Sequence, residues 1–254
     1  MNVIVSGERP VTMPIWQVGL VMALLVMTAC TSGGAAETTD PPTTSSPTTE
    51  STAIPEPTTT LGTTFVVKEP GDSGPGITVT NPASGWSFDT DTAHVFKGDE
   101  VQNVPEAAIL LWSFPAGTEF YVPADPCQSE STMSTSPATT ADEIGSALAA
   151  QASRDASEPV DVTIGGYEGK SLTVHVPDDV VFADCEGETF LSYATGDDPG
   201  ARYQQGPGQI DDMWILDVEG SPVIIDALYR SDSRAELVEE MRSIAQSATF
   251  QPAS

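Results

Sequence analysis

Trp214-Ile-Leu-Asp-Val-Glu-Gly-Ser-Pro-Val-Ile-Ile-Asp-Ala-Leu-Tyr229 is the stretch that decides the fold. Two runs rich in Val, Ile and Leu, 214–218 and 223–229, flank Glu219-Gly-Ser-Pro222, whose Gly and Pro supply a turn. That is the pattern of a β-hairpin. A second hairpin reads upstream, where Val160-Asp-Val-Thr-Ile164 and Lys170-Ser-Leu-Thr-Val-His-Val176 flank the Gly-rich Gly165-Gly-Tyr-Glu-Gly169. Strand alternation puts Leu172, Val174 and Val176 on one face and Thr173 and His175 on the other. Shorter alternating runs at 66–67, 77–79, 86–88, 109–114, 119–122 and 190–193 read as further strands.

Two helices punctuate these strands. Thr140-Ala-Asp-Glu143 is a capping box, and the segment after it, to about residue 153, places Ile144 and Leu148 on one side. The chain closes with a helix from about residue 233, read from Ser233-x-x-Glu236, with Leu237, Met241, Ile244 and Ala248 as its packing stripe. Hairpin-linked strands with two helices predict an α+β fold over 64–254, a single domain in which helices pack on an antiparallel β-sheet.

Residues 31–63 are Thr, Ser, Pro, Gly and Glu with hardly an aliphatic among them, a composition that predicts a disordered spacer. Before it, Val18-Gly-Leu-Val-Met-Ala-Leu-Leu-Val-Met27 is apolar and ends in Thr28-Ala-Cys30. A transmembrane helix needs roughly 20 apolar residues, and this run is shorter. A short apolar core, small residues and then a cysteine is the layout of a lipoprotein signal peptide. The expectation is a signal peptide over 1–29, lipidation of Cys30 with diacylglycerol and palmitate, and a lipid-anchored mature chain outside the cell membrane. Ordinary secretion is the rival reading, and translation starts at Met1 or Met13.

The chain carries 37 acidic and 9 basic side chains, a formal net charge of −28. Nucleic acid is excluded as a partner, because its affinity comes from Lys and Arg neutralising phosphates. Basic-patch adhesion to anionic headgroups is excluded for the same reason. Most of the acid is scattered and reads as a solvated, self-repelling surface. With Cys30 lipidated, Cys127 and Cys185 remain as an even pair in an oxidising compartment and are expected to form a disulfide.

No catalytic, metal or cofactor motif emerges. Ile164-Gly-Gly-Tyr-Glu-Gly-Lys-Ser171 superficially suggests a phosphate-binding loop, but Ile164 stands where the first Gly belongs and a strand follows the Lys. Asp178, Asp179, Asp184, Glu186 and Glu188 offer oxygens to calcium without the ligand order of a calcium loop. Alternation would set 184–188 on one strand face. Asp89-x-Asp91 and Asp211-Asp212 fare no better. His94 and His175 lack a metal-ligand spacing, and His175 reads as a solvent-side strand residue. A Ser-His-Asp hydrolase has no G-x-S-x-G elbow to support it. The candidate ligand loop is Arg202-Tyr-Gln-Gln-Gly-Pro-Gly-Gln209, where Arg202, Tyr203, Gln204, Gln205 and Gln209 offer charge, ring and amides. The alternative is a tight connection that packs Tyr203 down.

Residues 160–250 resemble a group of uncharacterised actinobacterial exported lipoproteins. The likeness is carried by Gly166-Tyr-Glu-Gly-Lys170, Val176-Pro-Asp-Asp179, Phe182-Ala-Asp-Cys185, Gly206-Pro-Gly208, Trp214-Ile-Leu-Asp217 and Ile225-Asp-Ala227. Modules of this kind occur as lipoproteins and as outer parts of signalling proteins, which implies sensing or binding. The closing hairpin and helix, ending at Phe250, are similar to lipoproteins of the PsbP-like α/β/α sandwich fold. The expected function is therefore a membrane-anchored, non-catalytic binding or sensing module. Its partners would be the membrane, through Cys30, and an envelope protein, a wall component or a small polar ligand. A secreted serine-type hydrolase and a calcium-stabilised envelope module are the alternatives.

Overall fold

A computed structural model describes residues 62–253, except 69, 72–73, 82, 90–92, 102–103 and 197–199. Cys30, the leader and the spacer up to residue 61 lie outside the described residues. Those described belong to one unit, Glu56–Ser254.

The large sheet runs, edge to edge, β3 (Ser87–Asp89), β4 (His94–Val101), β5 (Val104–Ser113), β13 (Ser221–Arg230), β12 (Gln209–Val218), β9 (Tyr167–His175) and β7 (Asp155–Ala156), with β8 (Val160–Ile164) also paired to β9. Every pairing in it is antiparallel. A small sheet of β1 (Thr63–Lys68), β2 (Gly76–Asn81) and β14 (Thr249–Gln251) lies with helix α3 (Ala235–Gln246) on one face. There Ile77, Val79, Leu237, Met241 and Ile244 pack on Ile109, Leu111, Trp214, Leu216 and Ile225. On the other face lie helix α2 (Ala141–Ala149) and a small sheet of β6 (Phe120–Tyr121), β10 (Leu191–Thr195) and β11 (Arg202–Tyr203), while the short helix α1 (Ser129–Thr132) packs on the 3-10 turns beside them. Phe120, Ile144, Leu148 and Tyr193 pack there on Leu172, Val174, Met213, Ile215 and Ile224. The result is an α+β sandwich, one large antiparallel sheet with a helix and a small sheet on each side.

Both sequence-read hairpins form, with shorter turns than composition suggests. Val218 pairs with Ser221, so the turn is Glu219-Gly220 and Ser221 and Pro222 already belong to β13. Glu219 and Gly220 have φ of 53° and 84°, the left-handed pair that matches the right-handed twist of two joined strands. Likewise Ile164 pairs with Tyr167, and Tyr167–Gly169 are strand. Gly169 lies opposite Leu216, where a Cβ would come within 2.0 Å of the Ile215 carbonyl oxygen. Backbone cannot yield there as a side-chain tip can, so Gly169→Ala should lower the free energy of unfolding in urea by about 1–3 kcal/mol.

The capping box forms as read: the Glu143 amide donates to Thr140 Oγ1 at 3.2 Å and the Thr140 amide to Glu143 Oε2 at 3.2 Å. Thr140→Ala should cost about 1 kcal/mol in the same measurement. The helix stops at Ala149, short of residue 153: the Gln151 amide turns back to the Leu148 carbonyl, the Ala152 amide donates to the Ala124 carbonyl at 2.7 Å, and the Gln151 side chain is drawn inside. The last helix begins at Ala235 without a side-chain cap. Ser233 is not its cap: its hydroxyl accepts from the Arg230 amide at 3.0 Å and donates to the Glu106 carbonyl at 2.6 Å. Residues 182–188 are also not a strand. They form two 3-10 turns, Phe182–Asp184 and Glu186–Glu188. Among the described residues no helix is long and apolar enough to cross a membrane.

Candidate functional site

The 202–209 loop alternates between inside and outside. Arg202 is 1% exposed, Gln204 5% and Gln209 0%, whereas Tyr203 is 47% exposed and Gln205 is half-buried. The expectation of a packed-down Tyr203 is thus reversed: the charged residue goes in and the ring stays out.

Two carboxylates cause the inversion. Asp211 pairs across the hairpin with Leu228, and Asp226 with Met213, so both acids sit on the buried face shared by Met213, Ile215 and Ile224. A buried carboxylate is costly unless paired and hydrogen-bonded. Arg202 supplies the pairing, donating from Nε to Asp226 Oδ2 and from Nη2 to Asp211 Oδ1 at 2.8 Å. Its Nη1 turns back on its own loop, donating to the Tyr203 carbonyl and, at 3.3 Å, to Gln205 Oε1. Gln209 Nε2 adds a bond to Asp211 Oδ1 at 2.7 Å and another to Gln204 Oε1. Gln204 Nε2 reaches Ser192 Oγ at 2.6 Å, which also accepts from Arg154 Nη1 at 2.9 Å. Arg154 Nη1 also reaches Gln151 Oε1 at 2.9 Å, and Gln151 Nε2 closes on the Pro123 and Ser192 carbonyls at 3.0 and 2.9 Å.

Burial sets the electrostatics of this network. Asp211 is pushed well above the usual carboxylate range by burial and by the Asp226 charge, against the pull of Arg202 and Arg154. Burial works against the charge of Arg202, yet Asp226 and Asp211 outweigh it and hold the guanidinium above its ordinary value. Arg154, hydrogen-bonded to neutral groups, is lowered by burial to about 10 and stays cationic at neutral pH. The Tyr193 phenol is raised, first by burial.

The two outward residues of the loop border separate clefts. Tyr203 lines one of about 270 Å³ with Ser129, Glu130, Met133, Gly187 and Leu191. Gln205 lines another of about 310 Å³ with His94, Phe96, Ala108, Leu110 and Leu228. The first is mixed in character, with a carboxylate and a ring over an apolar floor. The second is mostly apolar, its floor being the sheet face where Phe96 stays 45% exposed. His94 there is half-buried and held below its usual range, chiefly by burial, with Asp89 pulling it back up.

Cys127 and Cys185 are joined by a disulfide with Cα atoms 4.6 Å apart. It links the turn before α1 to the turns at 182–188, the two walls of the Tyr203 cleft. Glu186 reinforces the link: its Oε2 accepts from the Ser131 amide at 2.9 Å, and these Ser131 bonds hold its carboxyl below the usual range. Asp178, Asp179, Asp184 and Glu188 face solvent. Asp211 and Asp212 point to opposite faces of β12, Asp212 accepting from Thr173 Oγ1 at 2.7 Å and from Arg242 Nε at 2.8 Å. Among the described residues no three His, Cys, Asp or Glu side chains are grouped to hold a metal. His175 is half-buried rather than solvent-side, its Nε2 enclosed without a hydrogen-bond partner.

Asp226, Arg154, Gln151, Ser192 and Glu130 were not among the sequence-read site residues. The signal for Asp226 is its parity: it follows Ile224 at a two-residue step, on an inward row. Arg154 and Glu130 carry no such periodic signal: Arg154 lies just before β7, and the helix that holds Glu130 is only four residues long.

No family model and no curated protein sequence matches this chain. The solved structures that match include two at low identity. LpqN, involved in cell envelope biogenesis of Mycobacterium tuberculosis, is 12% identical over 75% of this chain and 91% of its own, with a TM-score of 0.39. Cyanobacterial PsbP (CyanoP) from Synechocystis sp. PCC 6803 is 10% identical over 78% of this chain and 98% of its own, with a TM-score of 0.33.

Proposed function

We propose that this protein is an extracytoplasmic lipoprotein, anchored through Cys30, whose folded unit binds or senses a ligand through the 202–209 loop without transforming it. The observation that carries the reading is the alternation of that loop. Arg202, Gln204 and Gln209 fasten it to the sheet from within, while Tyr203 and Gln205 are presented at two clefts. A loop whose ordering cost is met on folding binds without that cost. The clefts are also near the small end of the volumes that hold ligands.

The anchor is tested by labelling cells with an alkynyl palmitate. The full chain should carry label and fractionate with membranes, and Cys30→Ala should do neither; an unmodified Cys30 thiol in the wild-type protein refutes it. The binding reading is tested by screening the full chain for stabilisation by wall fragments and small polar solutes. A stabilising compound should lose its effect in Tyr203→Ala or Gln205→Ala and be recovered chemically unchanged. Turnover of an ester or peptide library, abolished by His94→Ala, would favour a hydrolase instead.

A further inference from the structure

We infer that the cleft bordered by Tyr203 takes an alkylammonium group, a conclusion that rests on the binding reading above and names its ligand class. Four of its residues carry the chemistry. Glu130 is an exposed carboxylate on α1, Tyr203 offers a ring that keeps 47% of its surface in solvent, and Met133 and Leu191 are apolar. Among the described residues no Lys or Arg lines this cleft. An organic cation satisfies each part at once: its charge meets the carboxylate and the aromatic quadrupole, and its carbons meet Met133 and Leu191. An anion would be repelled by Glu130 and by the ring face.

The wider field agrees. With 37 acidic against 9 basic side chains, the molecule draws cations towards its surface and concentrates them in clefts of matching sign. Sodium would feel the same field but, tightly hydrated, gains little from the ring face and nothing from the apolar side chains. The selectivity for an alkylated cation comes from Tyr203, Met133 and Leu191.

The walls are held ready. The Cys127–Cys185 bridge joins the segment carrying Glu130 to the turn carrying Gly187. Gly187 lies beside Glu130, a Cβ there making ordinary contact with Glu130 Oε1 at 3.4 Å, and its φ of 64° favours glycine in this wall. Tyr203 is positioned from beneath, because the residues on either side of it are pinned by Asp211, Asp226 and Ser192.

Calorimetric titration of the full chain in detergent micelles tests this, with choline chloride as probe, ionic strength held with sodium chloride, and the neutral isostere 3,3-dimethylbutan-1-ol as control. Choline should bind saturably and the alcohol should not. Tyr203→Ala should weaken binding about five- to ten-fold and Tyr203→Phe should retain it, as a ring-quadrupole contact requires. Glu130→Gln should weaken it several-fold, and circular dichroism should show all three variants folded. Stronger binding of Nα-acetyl-lysine amide than of n-butylammonium assigns the group to a peptide side chain, and the reverse to a free solute; both support the inference. Equal binding of choline and the alcohol overturns it while leaving the binding reading intact. No saturable binding of either overturns it as well and leaves that reading to the cleft at Gln205.

Discussion

Replacing Arg202 with Met should destabilise the protein by about 3–5 kcal/mol, the cost of leaving buried charge without its partner. Arg202 is 1% exposed and faces Asp211 and Asp226, both 0% exposed, so no water enters to compensate. The deficit should depend on pH with a definite sign. Asp211 already has a folded-state pKa above its ordinary value, set by burial and by Asp226, and losing the Arg202 charge raises it further. A carboxyl of this kind binds more protons folded than unfolded between its two pKa values. Its contribution is whole below the unfolded value, near ~4, and is lost as pH rises through the folded one. Wild-type minus variant stability, from urea unfolding followed by tryptophan fluorescence, should therefore be largest at pH 7–8 and shrink towards about pH 4–5. Adding Asp211→Asn and Asp226→Asn to Arg202→Met should recover much of the loss and flatten this dependence, since amides stay neutral. An Arg202→Met variant as stable as wild type at pH 7 would mean that the ion cluster contributes nothing to holding the loop.

How much of this was legible in sequence depends on how local each cause is. The hairpins at 160–175 and 209–230 and the Thr140–Glu143 capping box are visible because their determinants lie within a few residues of one another. Ser233 looks like a cap for the same local reason, yet Glu106, 127 residues away, takes its hydroxyl. Arg202 looks like a ligand residue because its own loop is polar. Its partners lie 9 and 24 residues downstream, and only the pairing of β12 with β13 brings them to one face. The inward parity of Asp211 and Asp226 was nonetheless readable: two acids on apolar rows demand a buried cation, and the chain has few to offer. The Tyr203 cleft was not readable, because its walls come from 129–133, 187–191 and 203, segments that no periodicity links.

Removing the disulfide should have an effect of similar size. Cys127 and Cys185 are 58 residues apart, and closing a loop of that length removes enough unfolded-state entropy to contribute about 4 kcal/mol. The double change Cys127→Ser/Cys185→Ser should lower the unfolding free energy by roughly that amount, with part of the cost arising where the sulfurs now pack. Cys185 is 6% exposed and belongs to a small cluster with Val176 and Phe190, so its serine hydroxyl enters an apolar site. Cys127→Ala/Cys185→Ala separates the two contributions, because it removes the crosslink without burying a new polar group. The loss should also be uneven in space. The large sheet keeps its hydrogen-bonded ladder across β4, β5, β13, β12 and β9, whereas α1 and the 182–188 turns keep only contacts such as the Ser131 amide to Glu186. Hydrogen exchange should therefore speed up most at 127–133 and 182–189 and least at 209–228. Uniform acceleration across both regions would place the effect of the bridge on global stability alone, with no role in shaping the cleft it borders.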